Sequence, residues 1–210
     1  MIQEFWTFVT DVVLALVSWS FAWRLAPRSR SAASATTMRL WVIVFIAIGL
    51  AAIQGALYHG FKDSLPPSLY FGFRVGTLWS LSLTAYALGL ALLSFGVPRR
   101  HALYKTIQGL LLLKAIVFLV LAVLRTEFVL GIMDYGSSFI LAFVVHLGKI
   151  RHPASRWILS GVAVSIVAAI IQQAKISPSP EFNSNDLYHV VQLIGLYLFY
   201  KGACRVSDAA

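Results

Sequence analysis

The sequence predicts an all-α integral membrane protein, folded as a bundle of seven transmembrane helices. Of its 210 residues, 59% are hydrophobic and only 12% are charged, whereas a soluble domain carries about 25% charged residues. The mean hydropathy is +0.80, and the apolar residues are gathered in long runs. These observations exclude soluble enzymes, nucleic-acid-binding domains and disordered chains. The single cysteine, Cys204, excludes an internal disulfide framework.

Seven apolar windows define the predicted spans, and each approaches the roughly 20 residues that a helix needs to cross a hydrocarbon core of about 30 Å. In chain order they lie at residues 5–23, 40–58, 71–95, 106–124, 128–148, 157–173 and 187–204. The first is predicted to be a span because no basic residue precedes Phe5 and no small-residue cleavage motif follows. The linkers are short, so we expect antiparallel neighbours within a single membrane domain, residues 1–210.

The basic residues predict the orientation of these spans. Twelve lie in the first, third and fifth loops and in the tail: Arg24, Arg28, Arg30, Arg39, Arg99, Arg100, Lys105, Lys149, Arg151, Arg156, Lys201 and Arg205. Only Lys62, Arg125 and Lys175 lie on the opposite side. Because basic loops stay in the cytoplasm, we expect the N-terminus outside and the C-terminus inside, in a plasma membrane or a bacterial inner membrane.

Polar residues in the spans and at their ends converge on the predicted outer half. In chain order they are Asp11, His59, Arg74, Asp134, Gln172, Gln173, Asn185, Asp186, His189 and Gln192. Polar side chains are costly in lipid, so each is a candidate functional residue. We therefore expect a polar pocket that opens outward, formed by the second, third, fifth and seventh spans.

Helical spacing suggests a metal site in this pocket. Asn185, His189 and Gln192 recur at i, i+4 and i+7, and therefore share one face of the seventh span. Two histidines and one carboxylate are a ligand set for catalytic zinc, with water in the fourth position. The predicted ligands are His59, His189 and Asp134, and Asp134 or Asp186 is the candidate general base.

Two short motifs resemble a known family. They are GALYH at residues 55–59, which ends the second span, and NDLYH at residues 185–189, which begins the seventh. With seven spans, they are similar to the alkaline ceramidases and the progestin and adipoQ receptors. The resemblance implies Zn²⁺ held by three histidines, a zinc-bound water that hydrolyses a lipid amide, and a membrane lipid as the partner.

The motif positions match that family only in part. His59 stands at its first histidine and His189 at its last, whereas Gly55 replaces a serine and Asn185 replaces a histidine. No aspartate occurs between residues 70 and 74, where the family pattern has one. If a metal is bound, Asp134 or Asp186 would have to supply the missing ligand.

The sequence leaves other readings open. Each histidine could cap a helix end or bond a neighbouring carbonyl, and two histidines on facing helices could ligate haem. A buried Asp134 needs a partner, either Arg74 or the mid-span Lys114. The alternative function is therefore a non-catalytic receptor or transporter-like protein with a buried Arg74, Asp134 and Lys114 network. No nucleic-acid partner is expected, and the oligomeric state is left open.

Overall fold

The computed structural model describes residues 3–30 and 35–206 and confirms the all-helical class. Within these ranges there are seven α-helices and no strands. The helices are α1 (Phe5–Leu25), α2 (Ala35–Phe61), α3 (Pro67–Gly96), α4 (Ala102–Leu124), α5 (Val129–Leu147), α6 (Pro153–Gln173) and α7 (Ser184–Ala203), and a 3₁₀ turn at Ala26–Arg30 follows α1. Each predicted window corresponds to one helix and extends at most one residue beyond it at either end. The helices α2 and α3 extend beyond their windows because the windows contain only the apolar runs, whereas the ends of a helix also carry polar residues.

Local sequence signals place the helix starts. Pro67 and Pro153 begin α3 and α6, at the position where a missing backbone N–H costs least. His101 caps α4, where its ring accepts a hydrogen bond from the backbone of Leu103. The start of α7 is a capping box. These caps satisfy backbone donors that would otherwise be unpaired.

Six of the described helices, α1 to α6, are long and apolar enough to cross a membrane. The seventh, α7, falls short of that standard because polar residues in its first half lower its mean hydropathy. Its 20 residues correspond to a length of about 30 Å. The length of α7 is therefore comparable to that of the other helices.

Six helices form a closed ring. α1 packs on α2, α2 on α3, α3 on α5, α5 on α6, α6 on α7, and α7 packs back on α1. α4 lies outside this ring, against α3 and α5. It exposes a continuous apolar surface that includes Leu110, Leu113 and Leu124, as expected of a helix that faces lipid.

Aromatic side chains fill one end of the ring. Trp41 and Phe45 of α2 are almost completely buried, and the rings of Trp41 and Phe199 lie 6.1 Å apart. Small residues allow close helix contacts elsewhere, as at Gly49, where an added Cβ would overlap the ring of Trp19. α1 and α2 are therefore tightly packed.

Candidate functional site

The ring encloses a cavity of about 280 Å³. Its lining comes from the six ring helices and from the linker that precedes α5. Along α2 the lining extends from Trp41 to His59, a distance of about 27 Å at 1.5 Å per residue. The cavity is therefore long and narrow and follows the axis of the bundle.

The two ends of the cavity differ in chemistry. Trp41, Phe45, Phe139, Leu196 and Phe199 line the end near the start of α2. At the other end, the walls include Tyr58, His59, Arg74, Thr126 and Asn185. An apolar deep end joined to a polar mouth is the arrangement that suits an amphipathic ligand.

A buried aspartate and a histidine meet between the two ends. Oδ1 of Asp11 lies 3.3 Å from Nε2 of His189, and Nδ1 of His189 lies 3.0 Å from Oγ1 of Thr10. Asp11 is 3% exposed and His189 is 8% exposed. Gly55 of α2 makes room for the carboxylate, since an added Cβ there would lie 3.0 Å from Oδ2 of Asp11.

Glu4, in the segment that precedes α1, forms hydrogen bonds with His59 and Lys62. Oε2 of Glu4 lies 2.7 Å from Nδ1 of His59, and its Oε1 lies 2.7 Å from Nζ of Lys62. The hydrogen bond from His59, aided by Lys62, lowers the pKa of Glu4 from 4.5 to about 2, although partial burial acts in the opposite direction. The same contact raises the pKa of Lys62. His59 therefore lines the cavity mouth as part of a charged cluster.

Arg74 stands at the mouth without a carboxylate partner among the described residues. Its Nη2 donates a 2.7 Å hydrogen bond to the carbonyl of Thr126. The guanidinium also lies 5.4 Å from the centre of the Tyr58 ring and 6.0 Å from that of Tyr70. None of these contacts supplies a carboxylate, so Arg74 keeps donors and a positive charge for an incoming acceptor.

Amide side chains complete the polar wall on α6 and α7. Nε2 of Gln172 donates to Oδ1 of Asn185 at 3.2 Å. Nε2 of Gln192 donates to Oγ of Ser165 at 3.1 Å. All four residues line the cavity. The sequence therefore located Asn185 and Gln192 in the pocket but did not identify their partners on α6.

Asp134 lies outside the cavity, which corrects its predicted grouping with the two histidines. Its Oδ1 lies 2.6 Å from Nζ of Lys114, an ion pair that confirms one of the two predicted partners. Lys114 also donates to Oγ of Ser137 at 2.9 Å. The cavity is lined instead by Gly136 and Phe139, because successive helical residues turn by about 100° and Asp134 faces α4. Arg74 takes no part in this pair.

Asp186 holds the start of α7 in place. Its Oδ1 accepts a 2.6 Å hydrogen bond from Thr7, and its Oδ2 accepts a 2.7 Å hydrogen bond from the backbone of Asn183. The carboxylate is fully buried and both of its oxygens have partners. Its predicted catalytic role finds no support in this arrangement.

The described residues do not fit the predicted zinc site. In the ranges 3–30 and 35–206, no group of three or more His, Cys, Asp or Glu side chains is placed to hold a metal ion. His59 bonds Glu4, His189 bonds Asp11 and Thr10, and Asp134 bonds Lys114. Zinc stays a prediction.

Sequence reasoning placed Asp11 in the outer half but did not include α1 among the helices that form the pocket. Thr7, Thr10, Asp11, Leu14 and Ser18 are all buried, and their spacing of three and four residues places them on one helical face. That pattern is visible in the sequence and predicts a polar stripe directed inward. Glu4 carried no such signal, since it lies outside every apolar window.

The comparisons with known proteins define a family but no activity. The sequences of curated proteins and the solved structures give no match to this chain. The resemblance to the alkaline ceramidases and the progestin and adipoQ receptors stays a prediction that these findings do not support. One family model matches residues 6–208. The chain therefore belongs to DUF6962, a family of unknown function.

Proposed function

We propose that this protein spans the membrane seven times and binds a chain-like amphipathic lipid in the cavity of its helical ring. The observation that carries this proposal is the cavity itself, which joins an aromatic, apolar end to a polar mouth along about 27 Å of α2. This length approaches the thickness of a hydrocarbon core, about 30 Å. The function is that of a non-catalytic receptor or carrier of lipid.

The position of α7 supports seven crossings. This helix packs between α6 and α1 and closes the ring, so it occupies the same layer as its neighbours. Its polar residues Asn185, His189 and Gln192 line the cavity. A helix whose polar face is buried in protein can cross a bilayer although its mean hydropathy is low.

The basic residues support an outward-facing mouth. His59 lies in the last turn of α2 and Asn185 in the first turn of α7. Both are on the side where only Lys62, Arg125 and Lys175 lie in the loops. The positive-inside rule places that side outside the cell. A lipid would therefore enter from the outer leaflet or from the external medium.

Photo-crosslinking tests the proposal. Purified protein in lipid nanodiscs is exposed to single-chain lipids that carry a diazirine in the tail and differ in headgroup, and the labelled residues are mapped by peptide mass spectrometry. We expect labelling of the aromatic end of the cavity, at Trp41 and Phe199. Labelling confined to the lipid-facing surface of α4 would contradict the proposal.

A matched pair of glycine variants provides the control. Gly136 lines the cavity, and an added Cβ there meets no atom within 4 Å. Gly136→Leu should therefore place apolar bulk in the cavity and reduce cavity labelling. Gly109→Leu on α4, where an added Cβ also meets no atom within 4 Å, should leave cavity labelling unchanged.

One observation favours a second candidate, hydrolysis of a bound lipid. The contact of Asp11 with His189 resembles the pairing that orients a catalytic imidazole, and His189 lines the cavity. The test is release of fatty acid from a lipid amide by wild-type protein and His189→Ala, together with the metal content of both. No release by the wild type would reject the hydrolase, and absence of metal would reject the zinc-dependent form.

A further inference from the structure

We infer that the lipid bound in this cavity carries a hydrogen-bond donor, a hydroxyl or an amine, that is held by Oδ2 of Asp11. The inference rests on the proposed function and deepens it by naming a chemical feature of the ligand. It depends on the bonding of three buried side chains, Thr10, Asp11 and His189. In the described part of the chain these side chains leave one polar atom, Oδ2 of Asp11, without a partner, on a residue that lines the cavity.

The hydroxyl of Thr10 fixes which nitrogen of His189 carries a proton. Oγ1 of Thr10 donates to the carbonyls of Trp6 at 2.9 Å and of Thr7 at 3.1 Å. We assign this single proton to the carbonyls of α1, so that the 3.0 Å contact with Nδ1 of His189 takes its proton from the ring. Nδ1 is therefore the donor in this contact.

The proton between Asp11 and His189 then has two possible positions. Either the imidazole is doubly protonated and Nε2 donates to Oδ1 of Asp11, or Asp11 is protonated on Oδ1 and donates to Nε2. Oδ2 of Asp11 carries no proton in either arrangement. It is therefore a hydrogen-bond acceptor whichever group holds the charge.

Oδ2 of Asp11 has no donor in the described part of the chain. It is fully buried and forms no hydrogen bond there, although Asp11 lines the cavity. A buried acceptor without a partner is costly, and such atoms occur where a ligand or a water molecule supplies the bond. The structure thus provides an acceptor at the boundary between the polar mouth and the apolar end.

The depth of Asp11 in the cavity indicates where the hydroxyl or amine lies along the ligand. Asp11 faces Gly55, one helical turn below His59, which is about 6 Å along the axis of α2. Arg74 lies at the level of Tyr58, over whose ring its guanidinium is placed. One ligand could therefore accept a hydrogen bond from Arg74 with its headgroup and donate one to Asp11 from a hydroxyl or amine one turn deeper. Its hydrocarbon chain would then continue toward Phe199.

Two probes that differ by one donor test the inference. A long-chain primary alcohol and its methyl ether, each with the same diazirine tail, are compared by the concentration that gives half-maximal cavity labelling. We expect the alcohol to bind about tenfold more tightly, as for one hydrogen bond to an ionised or shared-proton acceptor. Equal binding of the two probes would overturn the inference and leave the lipid-binding function intact.

Variants of Asp11 locate the effect. Asp11→Leu removes the acceptor and should abolish the preference for the alcohol, whereas Asp11→Asn should retain it, because the amide can donate to His189 and keep its oxygen toward the cavity. If Asp11→Leu does not fold, Gly55→Ala crowds Oδ2 and should weaken the preference. Asp134→Asn, at a buried aspartate outside the cavity, is the matched control and should keep it.

The failures of the two proposals are distinguishable. If neither probe labels the cavity, the lipid-binding function fails and the inference fails with it. If both probes label it and the preference persists in Asp11→Leu, another group binds the donor and the inference alone is wrong.

Discussion

Lys114 provides a quantitative test of how α4 is attached to the ring. Its Nζ lies 2.6 Å from Oδ1 of Asp134 and donates to Oγ of Ser137 at 2.9 Å. The side chain of Asp134 is 1% exposed, and that of Lys114 is 17% exposed. The substitution Lys114→Met keeps the chain length and apolar stem but removes the charge, so it leaves the Asp134 carboxylate buried without a cation.

The expected loss of stability follows from the burial of the Asp134 carboxylate. Removing one partner of a buried ion pair costs about 3 to 5 kcal/mol, and the partial exposure of Lys114 favours the lower end, about 3 kcal/mol. Asp134→Leu should cost a similar amount. The double variant should be more stable than the sum of the single effects predicts, because it leaves no unpaired charge.

Reversible unfolding in mixed micelles measures these differences. The free energy of unfolding is compared for the wild type, both single variants and the double variant, so that the cycle isolates the coupling between the two side chains. Arg125→Met, at an exposed position just after α4, is the control and should change stability by less than about 0.5 kcal/mol. A loss below about 0.5 kcal/mol in Lys114→Met would show that the pair does not hold α4.

Three further predictions concern the charged cluster of Glu4, His59 and Lys62, the topology and the packing of α1. Acid should destabilise the protein as the pH falls from 4.5 toward about 2, because over this interval folded Glu4 keeps its charge and the unfolded chain does not. This part of the pH dependence should be missing in Glu4→Gln and reduced in His59→Gln, where Lys62 still contacts Glu4. Cys204 should react with a membrane-impermeant maleimide only when the cytoplasmic face is accessible, and labelling in intact cells would reverse the proposed orientation. Gly49→Ala should lower the thermal midpoint because the new methyl overlaps Trp19, and an unchanged midpoint would contradict the described packing of α1 on α2.

The helices were predictable because lipid imposes a simple rule. A segment of about 20 apolar residues has no other stable backbone arrangement in a bilayer, so each window gave one helix. The order of helices around the ring was not predictable in the same way. Short linkers predict that α4 is a neighbour of α3 and α5. They do not predict that α3 and α5 also contact each other and thereby leave α4 outside the ring.

The candidate site was predictable by depth but not by direction. His59 and His189 were placed in the pocket from their positions near the outer helix ends, and both line the cavity. Asp134 lies at a comparable distance from the start of its helix, yet it faces Lys114. A hydropathy pattern that is apolar on all sides gives no inward face, so the choice between Asp11 and Asp134 as the partner of His189 required the structure.

An experimental structure of the wild-type protein in lipid nanodiscs tests the central claim most directly. The account predicts continuous, elongated density inside the ring, with its polar end beside Oδ2 of Asp11 and its apolar end against Phe199. It also predicts that this density is absent in Gly136→Leu. A ring with no density between Asp11 and Phe199 in the wild type would contradict it.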